Sequence, residues 1–240
     1  MIIGVPKETY PGEQRVALIP SEISRLAKKN ISVLVEKGAG INAGFLDADY
    51  ERKGARIVDN IDGIFSKAAL IAQVRGYGSN QKVGMEALSP FQEGQGLIAF
   101  LNPLGAVEKT QQLADKKITA LSMELMPRIT RAQSMDALSS MATIAGYKAV
   151  LIAANELPKL FPMMMTAAGS ITPAKVFVIG VGVAGLQAIA TAKRLGAIVE
   201  AYDIRPEVKE QVQSVGGKFI ELTLETSNSD GGGGYAKEQT

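Results

Sequence analysis

The amino-acid sequence predicts an α/β protein of two lobes, each built on a parallel β-sheet. Three observations lead to this prediction. Short runs of β-branched and apolar residues recur through the first half of the chain, with helical patterns between them. A further strand, turn and helix pattern begins at Lys175. The runs are nearly continuous rather than alternating, which is typical of strands buried on both faces and therefore parallel.

The strands predicted for the first lobe cover residues 2–5, 32–35, 56–58, 70–74, 96–100 and 118–122. Between the first two, Ile23, Leu26 and Ala27 recur at helical spacing. The segment 20–22 before them (Pro-Ser-Glu) offers an N-cap for this helix. We therefore predict an N-terminal α/β lobe over residues 1–133.

A long helical pattern rich in Ala, Leu, Met and Ile follows over residues 134–157, and prolines end it. We predict that this helix connects the two lobes. The second lobe then covers residues 158–240, and its segment 227–234 has the composition of a flexible loop. Only two strands of its sheet are visible in the sequence, so we expect this lobe to be truncated.

The composition excludes several classes of site. The chain has 26 Lys and Arg against 24 Asp and Glu, a formal net charge of +2, so no nucleic-acid partner is expected. It contains no Cys and no His. This excludes disulfides, thiolate or imidazole metal sites and Ser-His-Asp triads, and we predict no metal site.

No membrane-directing segment is predicted. Pro6, Lys7 and Glu8 interrupt the short apolar start, so it is not a secretory signal. The longest apolar stretch, residues 176–192, contains three glycines and a glutamine, and we interpret it as strand, turn and helix. We expect a cytoplasmic protein with no transmembrane segment of its own.

A glycine motif typical of dinucleotide-binding sites lies in the second lobe. A predicted strand at 175–179 is followed by Gly180-Val-Gly182-Val-Ala-Gly185, a helix at 186–195 and a strand at 197–202. In such units the first glycine permits a tight turn, the second admits a pyrophosphate, and the third lets helix and strand pack closely. The helix N-terminus also favours a phosphate. We therefore interpret the lobes as Rossmann-like.

An acidic residue completes this motif. Asp203 ends the second strand, 23 residues after Gly180. A carboxylate in this position accepts hydrogen bonds from an adenosine ribose and repels a 2′-phosphate, so the motif favours NAD(H) over NADP(H). Arg205 offers an alternative receptor for a 2′-phosphate, and we weigh it below Asp203, which occupies the acidic position itself.

A polar cluster precedes the long helix. The run Pro127-Arg-Ile-Thr-Arg-Ala-Gln-Ser-Met-Asp136-Ala-Leu-Ser139 holds two Arg, a Gln, an Asp and several hydroxyls. In a helix, Gln133 and Asp136 would share a face, and Arg128 would reach Asp136 as an ion pair. Spacing alone leaves two equal alternatives, a binding loop and a solvated helix start with Ser134 as N-cap.

Two other segments stand out. Residues 6–17 are rich in charge, and we interpret them as a charged turn in which Glu8 and Arg15 form a structural pair. For residues 75–96 the pattern predicts no particular structure or role.

Three blocks of the sequence resemble the NAD(H)-binding alpha subunit (first domain) of proton-translocating NAD(P) transhydrogenases. The first block consists of Pro6-Lys-Glu and Glu13-Gln-Arg-Val-Ala17. The second runs from Met123-Glu-Leu-Met-Pro127 through Asp136 to Ala145-Gly-Tyr147. The third runs from Phe161-Pro-Met-Met-Met-Thr-Ala-Ala-Gly169 through the glycine motif to Asp203 and Arg205. The resemblance covers essentially the whole chain and is most specific in the run around Gln133.

This resemblance implies that the chain passes a hydride from NADH to NADP+ held on a partner. Arg128 and Asp136 would position the nicotinamide ribose and carboxamide, with Ser139 assisting. Gln133 would reach the ribose of the partner's nucleotide, and Asp203 would bind the adenosine ribose. The remaining implied cofactor contacts are Ile129, Thr130, Arg131, Gly180, Gly182, Val183, Gly185, Ile204 and Arg205, with Gly234 and Tyr235 in a mobile loop that closes over the nucleotide.

The resemblance also implies partners and a location. It implies NADP-binding and membrane-spanning transhydrogenase subunits, coupling of the reaction to proton transport, and a homodimer of this subunit. The chain would lie at the cytoplasmic face of the inner membrane through those partners. Direct hydride transfer between two nicotinamides needs no acid or base at the reacting carbon, which agrees with the absence of His.

Two alternatives remain. Alanine dehydrogenases look similar, and Arg15 matches their substrate-binding Arg. However, the strand ending at Arg75 carries no Lys, and the chain has no His for their acid/base step. The other alternative is a non-catalytic NAD-binding fragment, because the transhydrogenase domain that the chain resembles is considerably longer.

Overall fold

The chain folds into two units, residues 1–127 and 128–240. The structure is a computed structural model, and it describes residues 1–221, 230–231 and 235–236. Both units combine helices with parallel strands, which confirms the predicted α/β fold class. Most of the segment predicted as a flexible loop, 227–234, lies outside the described residues.

A six-stranded sheet forms the centre of the first unit. Its strands are β1 (Ile2–Val5), β2 (Ser32–Glu36), β3 (Arg56–Val58), β4 (Leu70–Arg75), β5 (Gly96–Phe100) and β6 (Thr119–Ser122). Their spatial order is β3-β2-β1-β4-β5-β6, and every pairing is parallel. The strand order therefore reverses between β1 and β4, which is where open α/β sheets commonly bind ligands.

Both faces of this sheet are covered. The helices are α1 (Pro20–Ala27), α2 (Asp47–Glu51), α3 (Ile61–Phe65) and α4 (Val107–Asp115). In β2, Leu34 belongs to one hydrophobic cluster, whereas Val33 and Val35 belong to another. Because neighbouring residues of a strand point to opposite faces, each face has its own core. Burial on both faces explains why β1, β2 and β4 are apolar almost without interruption.

Helix α1 begins differently from the prediction. Its first residue is Pro20, and the N-cap is Ile19, which makes no side-chain capping bond. The predicted N-cap at 20–22 was therefore wrong. Proline is favoured at the first helical position because its fixed φ suits the helix and its missing N–H would have no partner there.

The segment 76–83, for which the pattern predicted nothing, is held by a lysine of α4. The Lys109 ammonium donates to the carbonyl oxygens of Tyr77, Asn80 and Val83 at 3.2, 3.0 and 2.9 Å. It also lies 4.7 Å from the centre of the Tyr77 ring, a distance at which cation–π attraction operates. These contacts are 26 to 32 residues apart along the chain, so no local pattern indicates them.

A three-stranded parallel sheet lies in the second unit. Its strands are β9 (Lys175–Ile179), β10 (Ile198–Tyr202) and β11 (Lys218–Phe219), in the order β11-β10-β9. Two antiparallel pairs accompany it, β7 (Met164–Thr166) with β8 (Gly169–Ile171), and β12 (Asp230–Gly231) with β13 (Tyr235–Ala236). The sequence indicated two strands for this sheet, and β11 was missed because it is only two residues long.

The helices of the second unit are α5 (Ala137–Glu156), α6 (Val183–Arg194) and α7 (Lys209–Ser214). Ile189 of α6, Val212 of α7 and Val199 of β10 share one hydrophobic cluster, so these helices pack on one face of the sheet. The predicted long helix is α5, and its buried residues are Gly146 and Val150.

By length and hydropathy alone, α5 meets the requirement for crossing a membrane. A helix that packs inside a soluble domain meets the same requirement, so one such helix is weak evidence for a membrane span. The stretch 176–192, which the sequence analysis considered instead, forms most of β9, the glycine turn and most of α6.

Candidate dinucleotide-binding site

The glycine turn joins β9 to α6. Gly180 follows β9 and has a φ of +88°. Gly182 is the N-cap of α6, which begins at Val183. A left-handed φ such as that of Gly180 is strained for residues with a Cβ. The predicted strand, turn and helix are therefore present, and the helix begins three residues earlier than predicted.

The other two glycines of the motif differ in their surroundings. A Cβ at Gly185 would lie 1.9 Å from the carbonyl oxygen of Gly180, so only glycine allows this contact between helix and turn. Among the residues that the structure describes, a Cβ at Gly182 would meet no atom within 4 Å. No side chain of these residues covers the backbone at Gly182 or caps the N–H groups of the first turn of α6.

Asp203 ties this turn to the end of β10. The residue is buried, with 8% of its surface exposed. One carboxylate oxygen accepts the Val181 N–H at 2.6 Å. The other accepts the backbone N–H and the Nε–H of Arg205 at 2.9 and 3.0 Å. The carboxylate therefore holds the backbone of the glycine motif in place.

Arg205 and Asp203 form a largely buried ion pair, with 11% and 6% of their side chains exposed. Burial alone would raise the pKa of the Asp203 carboxyl, but hydrogen bonds from Arg205 and Val181 lower it below its ordinary value. The carboxylate is charged at neutral pH, and it is paired with the Arg205 guanidinium, which the sequence analysis weighed as an alternative receptor for a 2′-phosphate. The use of Asp203 as a ribose ligand stays a prediction.

The polar cluster before α5 forms two short elements rather than one helix. Residues Thr130–Met135 form a 3-10 helix, and α5 starts only at Ala137. Gln133 and Asp136 therefore do not share a face of one α-helix. The alternative in which Ser134 caps the long helix was also wrong, because Asp136 is the N-cap.

Asp136 caps α5 through Ser139. Its two carboxylate oxygens accept the Ser139 N–H at 3.0 Å and the Ser139 hydroxyl at 2.6 Å. These hydrogen bonds lower the pKa of the Asp136 carboxyl below its ordinary value, and the positive charge of Arg128 adds to the effect. The ionised Asp136 carboxylate and the Ser139 hydroxyl that donates to it therefore lie side by side at the start of α5.

Most other predicted contacts of this cluster are exposed, namely Arg128, Ile129, Thr130, Arg131 and Gln133. Ala132 between them is buried and anchors the segment. Of the two contacts predicted in the tail, Gly234 lies outside the described residues, and Tyr235 is described only as part of β13.

Helix α5 links the polar cluster to the glycine motif within the second unit. At Gly146, α5 crosses the first turn of α6, and a Cβ there would lie 2.1 Å from the carbonyl oxygen of Ala184. Asp136 precedes this crossing by ten residues, which corresponds to about 15 Å along a helix axis. The two patches singled out in the sequence are thus joined by one continuous helix.

In the charged N-terminal segment, the hydrogen-bonded partner of Arg15 is Glu13. The carboxylate of Glu13 accepts from Nε and Nη2 of Arg15 at 2.7 and 2.6 Å, and from Nε of Arg75 at 2.9 Å. The predicted partner Glu8 acts on Arg15 through its charge, whereas the close ion pair of Arg15 is with Glu13. Glu8 instead accepts the backbone N–H groups of Val74 and Arg75, which end β4 and need an acceptor.

We expect Glu13→Gln to weaken the first unit in a pH-dependent way. Hydrogen bonds from Arg15 lower the pKa of Glu13 to about 2 in the folded chain. A lowered folded-state pKa contributes stability above the unfolded-state pKa near 4.5, and this contribution is lost as pH falls towards 2. At pH 7 the free energy of unfolding should fall by about 2 kcal/mol, because two arginines lose a buried anion.

Urea unfolding followed by circular dichroism checks this prediction between pH 7 and pH 2.5. The difference between wild type and Glu13→Gln should narrow as pH falls. Glu22→Gln, which removes an exposed partner of Arg25, is the matched control and should change stability little. A constant difference across the pH range would show that the charge of Glu13 is not the cause.

A cavity of about 340 Å³ in the first unit was missed by the sequence analysis. It lies at the carboxyl ends of β1 and β4, where the strand order reverses. Lys7, Gln73, Arg75 and Asn80 contribute polar groups to its wall. The lining comes from separate segments of the chain, so no single motif marks it.

Comparison with known proteins gives the family. Residues 4–145 match the family described as Alanine dehydrogenase/PNT, N-terminal domain, and residues 149–233 match the Alanine dehydrogenase/PNT, C-terminal domain. The chain belongs to the alanine dehydrogenase/PNT family. The resemblance found in the sequence is thereby confirmed.

Within the alanine dehydrogenase/PNT family, the chain is similar to transhydrogenases and to alanine dehydrogenases. It is 47% identical over 239 residues to an NAD(P) transhydrogenase subunit alpha chain of Rhodospirillum rubrum, covering 99% of this chain and 62% of that protein. It is 32% identical over 227 residues to alanine dehydrogenase of Bacillus subtilis, covering 93% and 57%. The chain therefore spans less than two thirds of the length of these relatives.

Solved structures of the alanine dehydrogenase/PNT family agree with this fold. The crystal structure of transhydrogenase from Sinorhizobium meliloti has a TM-score of 0.86 and 47% identity, covering 93% of this chain and 62% of that one. An L-alanine dehydrogenase structure has a TM-score of 0.80 and 30% identity, covering 91% and 60%.

Proposed function

We propose that this chain is the NAD(H)-binding component of a proton-translocating NAD(P) transhydrogenase. In this role it donates a hydride from NADH to NADP+ held on a partner. The proposal rests mainly on the strand-turn-helix unit formed by β9, the glycine turn and α6. Asp203 is hydrogen-bonded to this turn through the Val181 N–H. The similarity to subunits named NAD(P) transhydrogenase alpha supports the choice within the family.

The glycine turn would bind the pyrophosphate. No described residue blocks the approach at Gly182 or caps the first N–H groups of α6, which begin at Val183 and point out of the helix. The helix dipole adds a partial positive charge at this end. Both features suit a doubly charged pyrophosphate, and neither requires a positively charged side chain.

Asp203 and Arg205 would select NAD(H) over NADP(H). In this proposal a ribose hydroxyl would donate to the Asp203 carboxylate at the end of β10. A 2′-phosphate would instead approach a negative charge, and Arg205 is already bound to that carboxylate. Ile204 and Val183 would complete the contacts with the cofactor.

The nicotinamide end would lie at the start of α5. Asp136 and Ser139 are held there in fixed orientation by their hydrogen bonds, and Arg128 adds positive charge. The exposed Gln133 would reach towards the partner's nucleotide. NADH supplies the hydride when bound, so the residues of this chain provide alignment and electrostatics rather than acid or base chemistry.

The rest of the proposal concerns partners. Several relatives are named as the alpha subunit of a transhydrogenase, which implies other subunits. We propose NADP-binding and membrane-spanning subunits, a homodimer of this chain, and a position at the cytoplasmic face of the inner membrane.

Oxidation of alanine is disfavoured, because the chain contains no His to move the proton. Alanine-dependent reduction of NAD+ by this chain would overturn that choice.

Replacing Gln133 by asparagine tests the proposal. The shorter side chain should misalign the two nicotinamides and slow hydride transfer about tenfold, while the Kd for NADH changes less than about twofold. Transfer is measured in the full chain combined with its NADP-binding and membrane subunits, using an NADP+ analogue whose reduced form absorbs at its own wavelength.

Gln213→Asn is the matched control, because Gln213 is an exposed glutamine on α7 and should leave both quantities unchanged. Equal losses of transfer rate and NADH affinity in Gln133→Asn would point to a structural role for Gln133. An unsubstituted chain that binds no NADH would overturn the proposed function itself.

A further inference from the structure

Gly146 lies where α5 crosses α6, and nothing in the proposed function uses it. A Cβ at this position would lie 2.1 Å from the carbonyl oxygen of Ala184, 2.9 Å from its carbonyl carbon and 3.0 Å from its Cα. The neighbouring atoms all belong to the backbone, which cannot turn aside as a side chain can. The two helices therefore touch directly, and any side chain at position 146 would force them apart.

A second close contact continues this arrangement towards the turn. A Cβ at Gly185 would lie 1.9 Å from the carbonyl oxygen of Gly180 and 3.0 Å from its carbonyl carbon. The backbone of α5, the first turn of α6 and the glycine turn thus lie in direct succession. No flexible side chain separates them, so a displacement of α5 changes its distance to the turn by nearly the same amount.

We propose that Gly146 is a positioning residue that sets the spacing between the pyrophosphate-binding turn and the nicotinamide end of the site. The inference rests on the proposed function. Residues 137–146 are continuous α-helix, and a helix of this length is stiff. A ligand that contacts both the glycine turn and Asp136 needs the correct spacing, whereas a ligand that ends at the pyrophosphate does not.

Gly146→Ala in the full chain tests this role with two ligands. Its methyl group needs α5 to move by roughly 1.3 Å to reach ordinary van der Waals distance. NADH spans both ends of the site, and ADP reaches only the turn and Asp203. We expect the Kd for NADH to rise about tenfold and the Kd for ADP to change less than about twofold.

Two further variants make the result interpretable. Ala149→Gly changes helix propensity at an exposed position of α5, and we expect it to leave both Kd values unchanged. Val150→Ala loosens the buried face of α5 one turn beyond Gly146 without a clash. It should raise the Kd for NADH several-fold and spare ADP, and it decides the question if circular dichroism shows that Gly146→Ala does not fold.

The outcomes separate this inference from the proposed function. Selective loss of NADH affinity supports a positioning role for Gly146. Equal loss of NADH and ADP affinity, or no loss in a folded variant, overturns it. If the unsubstituted chain binds no NADH, the proposed function itself fails, whether or not the chain binds ADP.

Discussion

Replacing Asp203 by asparagine is expected to change the nucleotide preference of the chain. The substitution removes the negative charge that repels a 2′-phosphate and releases Arg205 to receive one. We expect the ratio of NADPH to NADH affinity to rise about tenfold, which equals about 1.4 kcal/mol. Fluorescence titration of the full chain with each nucleotide measures both affinities.

The same substitution should also destabilise the second unit. An asparagine side chain has only one acceptor oxygen, and its NH2 group donates hydrogen bonds instead of accepting them. The N–H of Val181 or of Arg205 would therefore face a second donor and lose its hydrogen bond. Because the Asp203–Arg205 pair is buried, we expect a loss of about 3 kcal/mol in the free energy of unfolding. Thermal unfolding followed by circular dichroism reports this loss.

A double variant, Asp203→Asn with Arg205→Ala, is the control for nucleotide preference. It should lose the gain in NADPH affinity, because the receiving guanidinium is gone. Unchanged affinity for both nucleotides in Asp203→Asn would remove the residue from the site and leave it with its role in holding the turn.

Gly185→Ala is expected to have the largest effect on stability. Its methyl group would lie 1.9 Å from a backbone oxygen of the turn, and neither α6 nor β9 can yield without disrupting the core around Ile189. We expect the second unit to lose about 3 kcal/mol or more of unfolding free energy and the chain to lose NADH binding. Urea unfolding and NADH titration measure the two effects.

Gly182→Ala provides the matched comparison. Its methyl group would meet no atom of the described part of the chain within 4 Å, and the backbone there is extended at φ −80°, so stability should be unchanged. The added group nevertheless stands where the pyrophosphate would approach, and NADH affinity should fall. If Gly182→Ala bound NADH normally, the turn would not be the pyrophosphate site.

The sequence was sufficient to predict features with a local signature. The strands β1, β2, β4 and β5 could be predicted because their burial in the sheet makes each of them a short apolar run. The glycine motif could be predicted because strand, turn and helix follow one another without a gap. The predicted start of α6 was three residues too late, because its N-cap is Gly182, which has no capping side chain to mark the boundary.

Features that depend on distant residues could not be predicted. The hydrogen-bonded partner of Arg15 is Glu13 rather than Glu8, because Glu8 binds backbone N–H groups at the end of β4. These groups lie more than 60 residues further along the chain, where Arg75 also binds Glu13. The locking of Asp203 onto Val181 depends on the pairing of β9 with β10. The N-cap at Asp136 was hidden because the segment before it continues as a 3-10 helix.

The attachment of residues 76–83 to α4 bears on how the first unit folds. The Lys109 ammonium of α4 donates to three carbonyl groups of this loop, across 26 to 32 residues of the chain. We expect the loop to acquire its shape only when α4 forms and docks, because these contacts close a long stretch of chain. One ammonium group thus makes the order of assembly of this region depend on a helix that follows it in the chain.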